Sequence, residues 1–398
     1  KTPAATYRAP GRYETTFVRE RLLDAIAGRV GVDPVEARRR NLIPAEAIPY
    51  VRPLDALEVN VVLESGDYAG LLDNALDTFG WNELKRSVEA RRAAGETVGA
   101  GLGFFVEKSG LGPTDKVRVD LDPDGQVTVV TGAANLGQGV LTAMAQICAG
   151  TLGCDYAVIE VTHGRTDVID EGYGSHASRT TVMTGEATRL ASVALRDRLS
   201  EIAAQRLQAD AADIDFSDGE ARHAQSGASI TFAEIVAAAG EDIISSEGRY
   251  DTDHMNYPYG VHAAVVVIDR ETGIASVEKF MIAYDIGCAI NPMLVDGQLQ
   301  GGLAQGIGGA LFEDDSITIL TYSDVVNRYL TGQTGKTGAG ASRRVLLAPP
   351  SMSETRKESL MEAGLDDFID YPYKPVDIFK VVMNRLQEVR LPGAKAAG

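Results

Sequence analysis

The sequence VTVVTGAANLGQGVLTAMAQICAGTL occupies residues 127–152 and joins three different local patterns. Its first part, Val127–Thr131, is rich in β-branched residues and predicts a strand. Its second half is apolar at helical spacing and predicts a helix over 138–152. Between them, the glycines of Gly137-Gln138-Gly139 allow backbone amides to face a ligand at the start of a helix, where an anion is favoured. The stretch therefore predicts a strand, a binding loop and a helix in succession.

Further strand and helix signals lie on both sides of this stretch. Val117–Leu121 and Val127–Thr131 alternate around the turn sequence Asp122-Pro123-Asp124-Gly125, which predicts a hairpin. The other elements predicted in this part of the chain are a strand over 157–162, a helix over 185–207 and a second hairpin over 265–268 and 274–284. Because strands and helices mix without strict alternation, the predicted fold class is α+β and not a doubly wound sheet.

The N-terminal part is predicted to be mostly helical. Apolar residues at helical spacing predict a helix over 15–29. Asp33-Pro34 has the form of an N-cap followed by proline at the first helical position, which predicts a second helix. The remaining predictions here are a connector over 45–65 and helices over 66–78 and 82–95.

The composition is that of an acidic protein of ordinary globular type. The chain has 398 residues, 44% of them hydrophobic, which is enough for two or three domains. Its formal net charge of −18 argues against bulk attraction to nucleic acid or to an anionic membrane, and no apolar run is long enough to predict a membrane span. An anionic ligand would therefore depend on local donors such as backbone N–H groups and a few arginines.

The three cysteines, Cys148, Cys154 and Cys288, form no C-x-x-C pair. Neither an iron–sulfur cluster nor a structural zinc is therefore expected within this chain. Free thiols in this number are typical of a reduced protein, so the predicted location is cytoplasmic.

Three more polar motifs place hydrogen-bonding side chains beside residues that permit a close backbone approach. They are Tyr7-Arg8-Ala9-Pro10-Gly11-Arg12, then Ala177-Ser178-Arg179-Thr180-Thr181, and finally Asn291-Pro292 running on to Gly297-Gln298 and Gly301-Gly302. A long ligand with several negative charges, held by several loops, would explain the pattern. Hydroxyls beside a helix start are phosphate donors, and Arg179 could pair with a diphosphate.

Each motif also has a plain structural interpretation. Gly137-Gln138-Gly139 could simply start a helix, and the hydroxyl-rich segment 175–184 could cap the helix that follows it. Gln298 could be an ordinary satisfied polar residue, and the Arg-Ala-Pro-Gly sequence of residues 8–11 is by itself only a turn.

Taken in order, the motifs resemble those of the molybdenum-binding subunit of the xanthine dehydrogenase / aldehyde oxidoreductase family. The likeness covers residues 1–312 and is carried further by Asn135-Leu136, Thr142–Gln146, Arg38–Ile43, Gly110-Leu111-Gly112-Pro113 and Tyr257–His262. The resemblance implies a molybdopterin-binding domain of the molybdenum hydroxylase type. It implies an oxidoreductase that hydroxylates an aldehyde or N-heteroaromatic carbon with water as the oxygen source.

The resemblance also implies cofactors, partners and site residues. The cofactor would be molybdenum-molybdopterin in a cytosine dinucleotide form, and the partners would be an iron–sulfur subunit and an FAD subunit. The substrate would be a small molecule, with no nucleic acid and no direct metal ligand from this chain, although Arg8 would lie near the metal. The predicted cofactor-binding residues are Arg8, Ala9, Gly137, Gln138, Gly139, Ser175, Ser178, Arg179, Thr180 and Gln298.

The sequence departs from the family pattern at three places. An earlier glycine-rich loop would have to precede Lys1, so the chain is expected to begin in mid-protein. Copper-containing carbon monoxide dehydrogenases carry a cysteine where this chain has Ala9 or Pro10, so a molybdenum–copper centre is not expected. The Gly-x-Gly-Glu that bears the catalytic base has its nearest string at Gly338-Ala339-Gly340-Ala341, and a methyl group cannot act as a base. The chain is therefore predicted to be a fragment without a complete active site.

The sequence changes in character after Phe312. Glu362–Phe368 and Tyr373-Lys374-Pro375 resemble the C-terminal half of a response-regulator receiver domain, which implies a small α/β piece with parallel strands. No strand-end aspartate upstream looks like a phosphoacceptor. This tail leaves an alternative function open, a non-enzymatic signalling or scaffold fusion whose degenerate receiver-like piece is a docking module. A further alternative is an enzyme completed by a separate chain.

The predicted domain organisation follows from these changes of pattern. It consists of the end of a first molybdopterin-binding domain over 1–60, a helical connector over 61–96, a second molybdopterin-binding domain over 97–312, an irregular junction over 313–344 and a receiver-like half domain over 345–398.

Overall fold

The computed structural model describes residues 7–56, 59–112, 114–312, 345–348, 358 and 367–370. The chain divides into two compact units. Unit 1 contains Lys1–Arg40, Val266–Ser276 and Gly301–Gly398, and unit 2 contains Asn41–Val265 and Val277–Gln300. Among the described helices, none combines the length and the apolar character that crossing a membrane requires.

Helices and strands follow one another without regular alternation, which confirms the α+β prediction. The helices are α1 (Arg12–Val30), α2 (Pro34–Arg39), α3 (Tyr68–Phe79), α4 (Trp81–Ala93), α5 (Val140–Leu152), α6 (Gly185–Leu207), α7 (Phe232–Ala239) and α8 (Pro292–Leu311). The strands are β1 (Tyr50–Ala56), β2 (Val59–Leu63), β3 (Val98–Val106), β4 (Thr114–Leu121), β5 (Val127–Thr131), β6 (Ile159–His163), β7 (Ile214–Ser217), β8 (Glu220–His223), β9 (Ser229–Thr231), β10 (Ile244–Asp251), β11 (Tyr259–Ile268), β12 (Ala275–Asp285), β13 (Val345–Ala348) and β14 (Asp367–Asp370).

The centre of unit 2 is a mixed sheet with the strand order β10-β4-β5-β6. β4 pairs antiparallel with both β10 and β5, whereas β5 and β6 are parallel and are connected through α5. Alternate residues of a strand face the same side of the sheet. Val117, Val119 and Leu121 therefore share one face of β4, where at most 1% of their surface is exposed. This face forms the core against α5 and α6 through residues such as Met144 and Leu195.

Helix α6 approaches β10 unusually closely. A Cβ atom built on Gly248 of β10 would lie 2.2 Å from the backbone nitrogen of Ala191 and 2.4 Å from the carbonyl oxygen of Ala187. Real Cβ atoms do not approach backbone atoms so closely, so the strand and the helix can pack at this distance only because residue 248 is glycine.

A second sheet has the order β12-β11-β3, and its residues in unit 2 lie beside α3 and α4. Aromatic rings occupy this junction, since Tyr68 of α3 meets Tyr259 of β11 edge-on with ring centroids 4.4 Å apart. The Tyr259 hydroxyl donates to Asp285 Oδ2 at 2.7 Å and accepts from the amide of Asp67 at 2.8 Å. Burial and the bond to Asp285 raise the pKa of Tyr259 to about 12, so the hydroxyl stays protonated as a donor.

Unit 1 contains a buried ion-pair network between α1 and α2. The Arg38 side chain is only 2% exposed and donates to Glu20 at 2.7 Å and to Asp24 at 2.7 Å. Asp33 accepts from the amides of Val35 and Glu36, which confirms the predicted N-cap of α2. The Arg38–Asn41 part of the sequence thus has a structural role in joining two helices.

The element predictions hold best where a periodic pattern is long. The predicted helices over 15–29, 66–78, 82–95, 138–152 and 185–207 correspond to α1, α3, α4, α5 and α6 within a few residues at each end. The connector predicted over 45–65 is wrong, because it contains the antiparallel hairpin β1–β2. Its sequence lacks a recognisable turn between the two strands. The small sheet β7-β8-β9 and α7 were also not predicted.

The C-terminal strands β13 and β14 pair in parallel, from Val345 opposite Asp367 to Ala348 opposite Asp370. This agrees with the predicted parallel arrangement of the tail. The helices predicted over 353–363 and 376–388, like the junction over 313–344, fall outside the described residues. The predicted domain boundaries and the receiver-like nature of the tail stay predictions.

His254 connects two segments of unit 2. Its Nε2 lies 2.7 Å from Glu64 Oε1 and its Nδ1 lies 2.6 Å from Asp253 Oδ1. The bond to Asp253 raises the pKa of His254 above its ordinary value of 6.5, Glu64 adds to this effect, and partial burial opposes it. The folded state therefore favours the imidazolium form.

We predict that Gly248→Ala lowers the free energy of unfolding by about 1–3 kcal/mol, because α6 and β10 must move apart to admit the new methyl group. Urea unfolding followed by circular dichroism would measure the loss. Gly101→Ala is the matched control, since Gly101 also lies in a strand but no atom lies within 4 Å of its would-be Cβ. Equal effects of the two substitutions would contradict the close packing.

We predict that His254 stabilises the fold in a pH-dependent way. A raised folded pKa means that this stabilisation is fully present below the unfolded pKa, near 6.5, and is lost as the pH rises through the folded value. The difference in unfolding free energy between the parent and His254→Gln should therefore shrink as the pH increases above about 6.5. In a Glu64→Gln, Asp253→Asn background the same substitution should show no such pH dependence.

Candidate functional site

The Gly137–Gly139 loop joins β5 to α5, as the sequence predicts. Gly137 and Gly139 have φ angles of +92° and +83°, which a residue with a side chain rarely adopts. A Cβ on Gly139 would also lie 2.5 Å from Cδ2 of Leu294, in the first turn of α8. Gly139 therefore serves two purposes at once, because it starts α5 in a left-handed conformation and admits α8 beside the loop.

The Gln138 side chain is folded back onto its own loop. Its Nε2 donates to the carbonyl of Ala134 at 3.0 Å, and its Oε1 accepts from the amide of Leu136 at 2.7 Å. Asn135 closes the loop from the other side by accepting from the amide of Gly137 at 3.1 Å. An amide side chain has two donor hydrogens and two acceptor lone pairs, so Gln138 keeps one of each for a ligand.

A second loop lies directly beside the first. A Cβ on Gly132, at the end of β5, would be 2.3 Å from Cα of Gly172, so the two backbones touch there. Three residues further on, the Ser175 hydroxyl donates to the carbonyl of Ala134 at 2.7 Å and accepts from its amide at 2.9 Å. The structure thus brings Ser175 together with the Gly137–Gly139 loop, since Ser175 and Gln138 share the Ala134 carbonyl.

The second loop continues into a strained turn. Ala177 and Ser178 have φ angles of +49° and +53° in succession, and residues Thr180–Thr184 form a π-helical turn before α6. Both features are uncommon outside functional sites. Ser178 is exposed and Thr180 is half-buried, and within the described residues neither hydroxyl has a hydrogen-bond partner. Both hydroxyls are therefore available to a ligand.

Arg179 does not face solvent between these two hydroxyl residues. It is only 1% exposed. Its guanidinium donates within the protein to the carbonyls of Leu111, Thr114 and Gly174, and to the carboxylate of Asp115. Four of its five N–H groups are used in this way, so the geometry supports an internal structural role. This arrangement does not favour the predicted pairing of Arg179 with a diphosphate. The pairing stays a prediction.

The start of α8 is fixed against the glycine loop and α5. Asn291 caps the helix by accepting from the amide of Leu294 at 3.0 Å, and its Nδ2 donates to Gln146 of α5 at 2.9 Å. Gln298 is exposed and lies one helical turn after Leu294, so it shares the face of α8 that meets Gly139. This placement supports Gln298 as a ligand contact, and the contact itself stays a prediction.

The first motif is held on the second half of α8, within unit 1. Arg8 Nη1 donates to the carbonyl of Gly301 at 3.2 Å, and the Tyr7 hydroxyl donates to Gln305 Oε1 at 2.7 Å. The Arg8 guanidinium lies against Gly301 and Gly302, since a Cβ on Gly302 would be in van der Waals contact with its Nη2 at 3.7 Å. Ala9 has a φ of +50°, which is a strained conformation for alanine. The meeting of Arg8 and Ala9 with Gln138 and the other residues of unit 2 stays a prediction.

The unit 2 loops can bind an anion without a free cation. The N-terminus of α5, the positive-φ glycines and the hydroxyls of Ser178 and Thr180 are all neutral donors, which suit phosphate or a similar group. In α5, burial raises the pKa of Cys148 to about 12, so this thiol remains protonated and inert.

The sequence did not reveal the roles of Asp115, Thr184 and Gly172, because these roles depend on partners far away in the chain.

Comparisons with known proteins place these motifs in one family. Residues 74–320, together with residues 1–42, match the family described as molybdopterin cofactor-binding domain. The gamma subunit of the 6-hydroxypseudooxynicotine dehydrogenase complex of Paenarthrobacter nicotinovorans is 36% identical over 79% of this chain and 41% of its own length. The carbon monoxide dehydrogenase large chain of Afipia carboxidovorans is 29% identical over 76% of this chain and 40% of its own length.

Solved structures agree with the sequence comparisons. Quinoline 2-oxidoreductase from Pseudomonas putida 86 superposes with a TM-score of 0.71 at 31% identity, covering 77% of this chain and 41% of that protein's chain. The Cu,Mo-CO dehydrogenase superposes with a TM-score of 0.71 at 28% identity, covering 81% and 44%. The present chain spans about two fifths of the length of the curated relatives that it matches.

We predict that Gly139→Ala destabilises the protein more than Gly137→Ala. Both substitutions impose a left-handed conformation on alanine, at a cost of about 1 kcal/mol or more, but only the methyl group at 139 collides with Leu294. Adding Leu294→Ala should therefore reduce the extra loss at position 139, and chemical unfolding of the four variants would measure this coupling. Strict additivity would contradict the contact between the loop and α8.

Proposed function

The chain belongs to the molybdopterin cofactor-binding family, which confirms the resemblance found in the sequence, and on this basis we propose that it forms a large part of the cofactor cradle of a molybdenum hydroxylase large subunit. The whole protein would hydroxylate an aldehyde or N-heteroaromatic carbon, with water as the oxygen source. The pair of loops that carries Gly137–Gly139 and Ser175–Thr180 would hold the cofactor.

One observation carries this proposal, namely the strained turn at Ala177 and Ser178 with its unpaired hydroxyls. Two successive left-handed residues other than glycine cost about 1–3 kcal/mol each, so such a turn persists only where its surroundings enforce it. The turn follows Ser175, whose hydroxyl donates to the same Ala134 carbonyl as Gln138 of the glycine loop. A ligand rich in phosphate or carbonyl oxygens fits this set of donors, and molybdopterin has this chemistry.

The residues have distinct roles in this proposal. The molybdenum cofactor, when bound, supplies the electron acceptor for the oxidation of the substrate carbon. Gln138 offers one donor and one acceptor to the pterin edge, while Ser178 and Thr180 donate to the phosphates. Gln298 approaches from α8, and Arg8 with the backbone of Ala9 lies near the metal. Each of these groups binds and orients the cofactor, and none is proposed to ligate the metal.

We also propose the finer features that the family resemblance implies. A cytosine dinucleotide form of the cofactor suits a turn that offers the hydroxyls of Ser178 and Thr180, because a second phosphate needs additional donors. Partner subunits are supported by the names of the relatives, which are a complex subunit gamma, a large subunit and large chains. That these partners carry iron–sulfur clusters and FAD is what the family resemblance implies. The free cysteines Cys148, Cys154 and Cys288 support a cytoplasmic location.

The class of substrate is supported by relatives whose names contain nitrogen heterocycles. A nicotine 6-hydroxylase large subunit is 32% identical to this chain over 79% of its residues, and the quinoline enzyme is 31% identical. Carbon monoxide is a less favourable substrate for this sequence. Ala9 and Pro10 stand where the copper-containing enzymes of the family are expected to carry a cysteine.

Turnover by this 398-residue chain alone is not expected. Ala341 stands where the resemblance places the catalytic glutamate, and this position lies outside the described residues. The alternatives are completion of the site by another chain and a signalling or scaffold fusion that uses the tail for docking. Hydroxylation that starts only when a second chain is added would favour completion, and partner binding by a chain without molybdenum would favour the scaffold.

We predict that Ser178→Ala lowers the molybdenum content of the chain purified from a host that makes the cofactor. Losing one hydrogen bond to a charged group costs about 1.5–3 kcal/mol, which corresponds to roughly tenfold or more in affinity. The folded state should be unaffected, because this exposed hydroxyl makes no hydrogen bond within the described residues.

Ser229→Ala, at an exposed position of β9, is the matched control. Elemental analysis for molybdenum and fluorescence of the oxidised pterin would measure occupancy, and thermal unfolding would verify the fold. A parent chain that contains neither molybdenum nor pterin would refute the proposed function.

A further inference from the structure

Three buried polar side chains meet beneath the strained turn. Asp115, at the start of β4, accepts from Arg179 Nη1 at 3.1 Å and from the Thr184 hydroxyl at 2.6 Å, both through its Oδ2 atom. Its Oδ1 accepts from the backbone amide of Lys116 at 3.0 Å. The Arg179 and Asp115 side chains are 0% and 1% exposed, and Thr184 is fully buried. Each of the three groups therefore has a hydrogen-bond partner, as a buried ion pair requires.

The backbone just before Asp115 holds the same turn from the other side. The amide of Gly110 donates to the carbonyl of Ser178 at 3.1 Å, and the carbonyls of Leu111 and Thr114 accept from the Arg179 guanidinium at 2.9 Å and 2.6 Å. This close approach depends on glycine, because a Cβ on Gly110 would lie 2.9 Å from the Val182 side chain. We call residues 110–112 and 114–115 the bracket segment.

The contacts of the bracket segment lie on both sides of the strained residues. Ser178 is held by its carbonyl, and the following residue, Arg179, is held by its whole side chain. Thr184 then fixes the end of the π-helical turn to Asp115. The chain between Ser178 and Thr184 is therefore held at both of its ends by the bracket segment. Tyr173 covers the guanidinium on the outer side, with its ring centroid 5.2 Å from Arg179 Cζ.

We propose that Asp115 is a positioning residue, which through Arg179 and Thr184 keeps the Ser178–Thr180 turn in its ligand-binding conformation before any ligand arrives. The inference rests on the proposed function, because the ligand in question is the molybdenum cofactor. Asp115 itself does not reach the ligand. A loop that had to be ordered by the ligand would reduce affinity by the cost of that ordering, whereas a preformed strained turn does not.

The charge of Asp115 is essential to this role. Arg179 cannot lose its proton in a protein, so its burial requires a negative partner in addition to the three carbonyls. Removing the carboxylate would favour movement of the guanidinium towards solvent. Because Arg179 directly follows Ser178, this movement would release the left-handed turn and displace the ligand hydroxyls.

The first arm of the test measures the conformation of the turn without cofactor. Hydrogen exchange by mass spectrometry would be followed in the segment 174–184 of chain purified from a host unable to make molybdopterin. Thr184→Val keeps the shape of the side chain and removes one bond to Asp115, so exchange in this segment should accelerate about tenfold, whereas exchange in β5 should not change. Asp115→Asn should have a larger effect in the same segment.

The matched control is Ser192→Ala in α6. The Ser192 hydroxyl is also fully buried and donates to the carbonyl of Thr188 at 2.8 Å, but it has no contact with the bracket segment. It should leave exchange in 174–184 unchanged. If Asp115→Asn does not fold, Thr184→Val decides the question by itself. Unchanged exchange in 174–184 for the variants that fold would overturn the proposal.

The second arm measures molybdenum content after expression with the cofactor. Thr184→Val should retain several-fold less molybdenum per chain than Ser192→Ala at similar thermal stability, since about 1 kcal/mol of lost preorganisation is worth roughly fivefold in affinity. Faster exchange with full molybdenum content would overturn the positioning role. A parent chain that takes up no molybdenum would instead overturn the proposed function, and the exchange arm would then decide the role of the bracket segment alone.

Discussion

Close backbone contact at glycine is the constraint on which the arrangement of unit 2 depends. Gly248 allows α6 to lie directly on β10, and without this contact the core between the sheet and its helices would open. Gly132 and Gly172 touch through their backbones and place the two binding loops side by side. Gly139 admits the first turn of α8 next to the same loops. In each case a methyl group would separate two elements that must meet for the site to exist.

The sequence reveals the local part of this arrangement and not the distant part. Gly137 and Gly139 stand out because a strand pattern ends before them and a helix pattern begins after them, so their left-handed conformations could be expected from neighbours alone. The chain has 42 glycines in total, and the sequence shows that many of them cluster in predicted loops. The contact between Gly132 and Gly172 cannot be seen in the sequence, because it depends on how the chain returns to the sheet after β6.

The same limit explains why the sequence alone does not reveal the internal partners of Arg179. Its sequence neighbours are hydroxyl residues, so pairing with a phosphate was the natural interpretation. Its actual partner, Asp115, precedes it by 64 positions and opens a strand whose other residues show only an ordinary alternating pattern. Burial favours the structural role, since a guanidinium that is 1% exposed and makes four internal hydrogen bonds has little left to offer a ligand. The loops of unit 2 then offer neutral donors, which agrees with an acidic chain of net charge −18 that must hold an anion locally.

Backbone strain provides an independent argument for where the function lies. Among the described residues, five that are not glycine have positive φ angles. Two of them have ordinary local causes, because Gln208 ends α6 and Asp218 lies in the turn between β7 and β8. The other three, Ala9, Ala177 and Ser178, end no helix and make no hairpin, and all of them fall within motifs singled out for ligand binding. A strained conformation that costs about 1–3 kcal/mol per residue persists only where the surrounding structure enforces it. In the loop before α6, we infer that the buried pair of Arg179 and Asp115 enforces it.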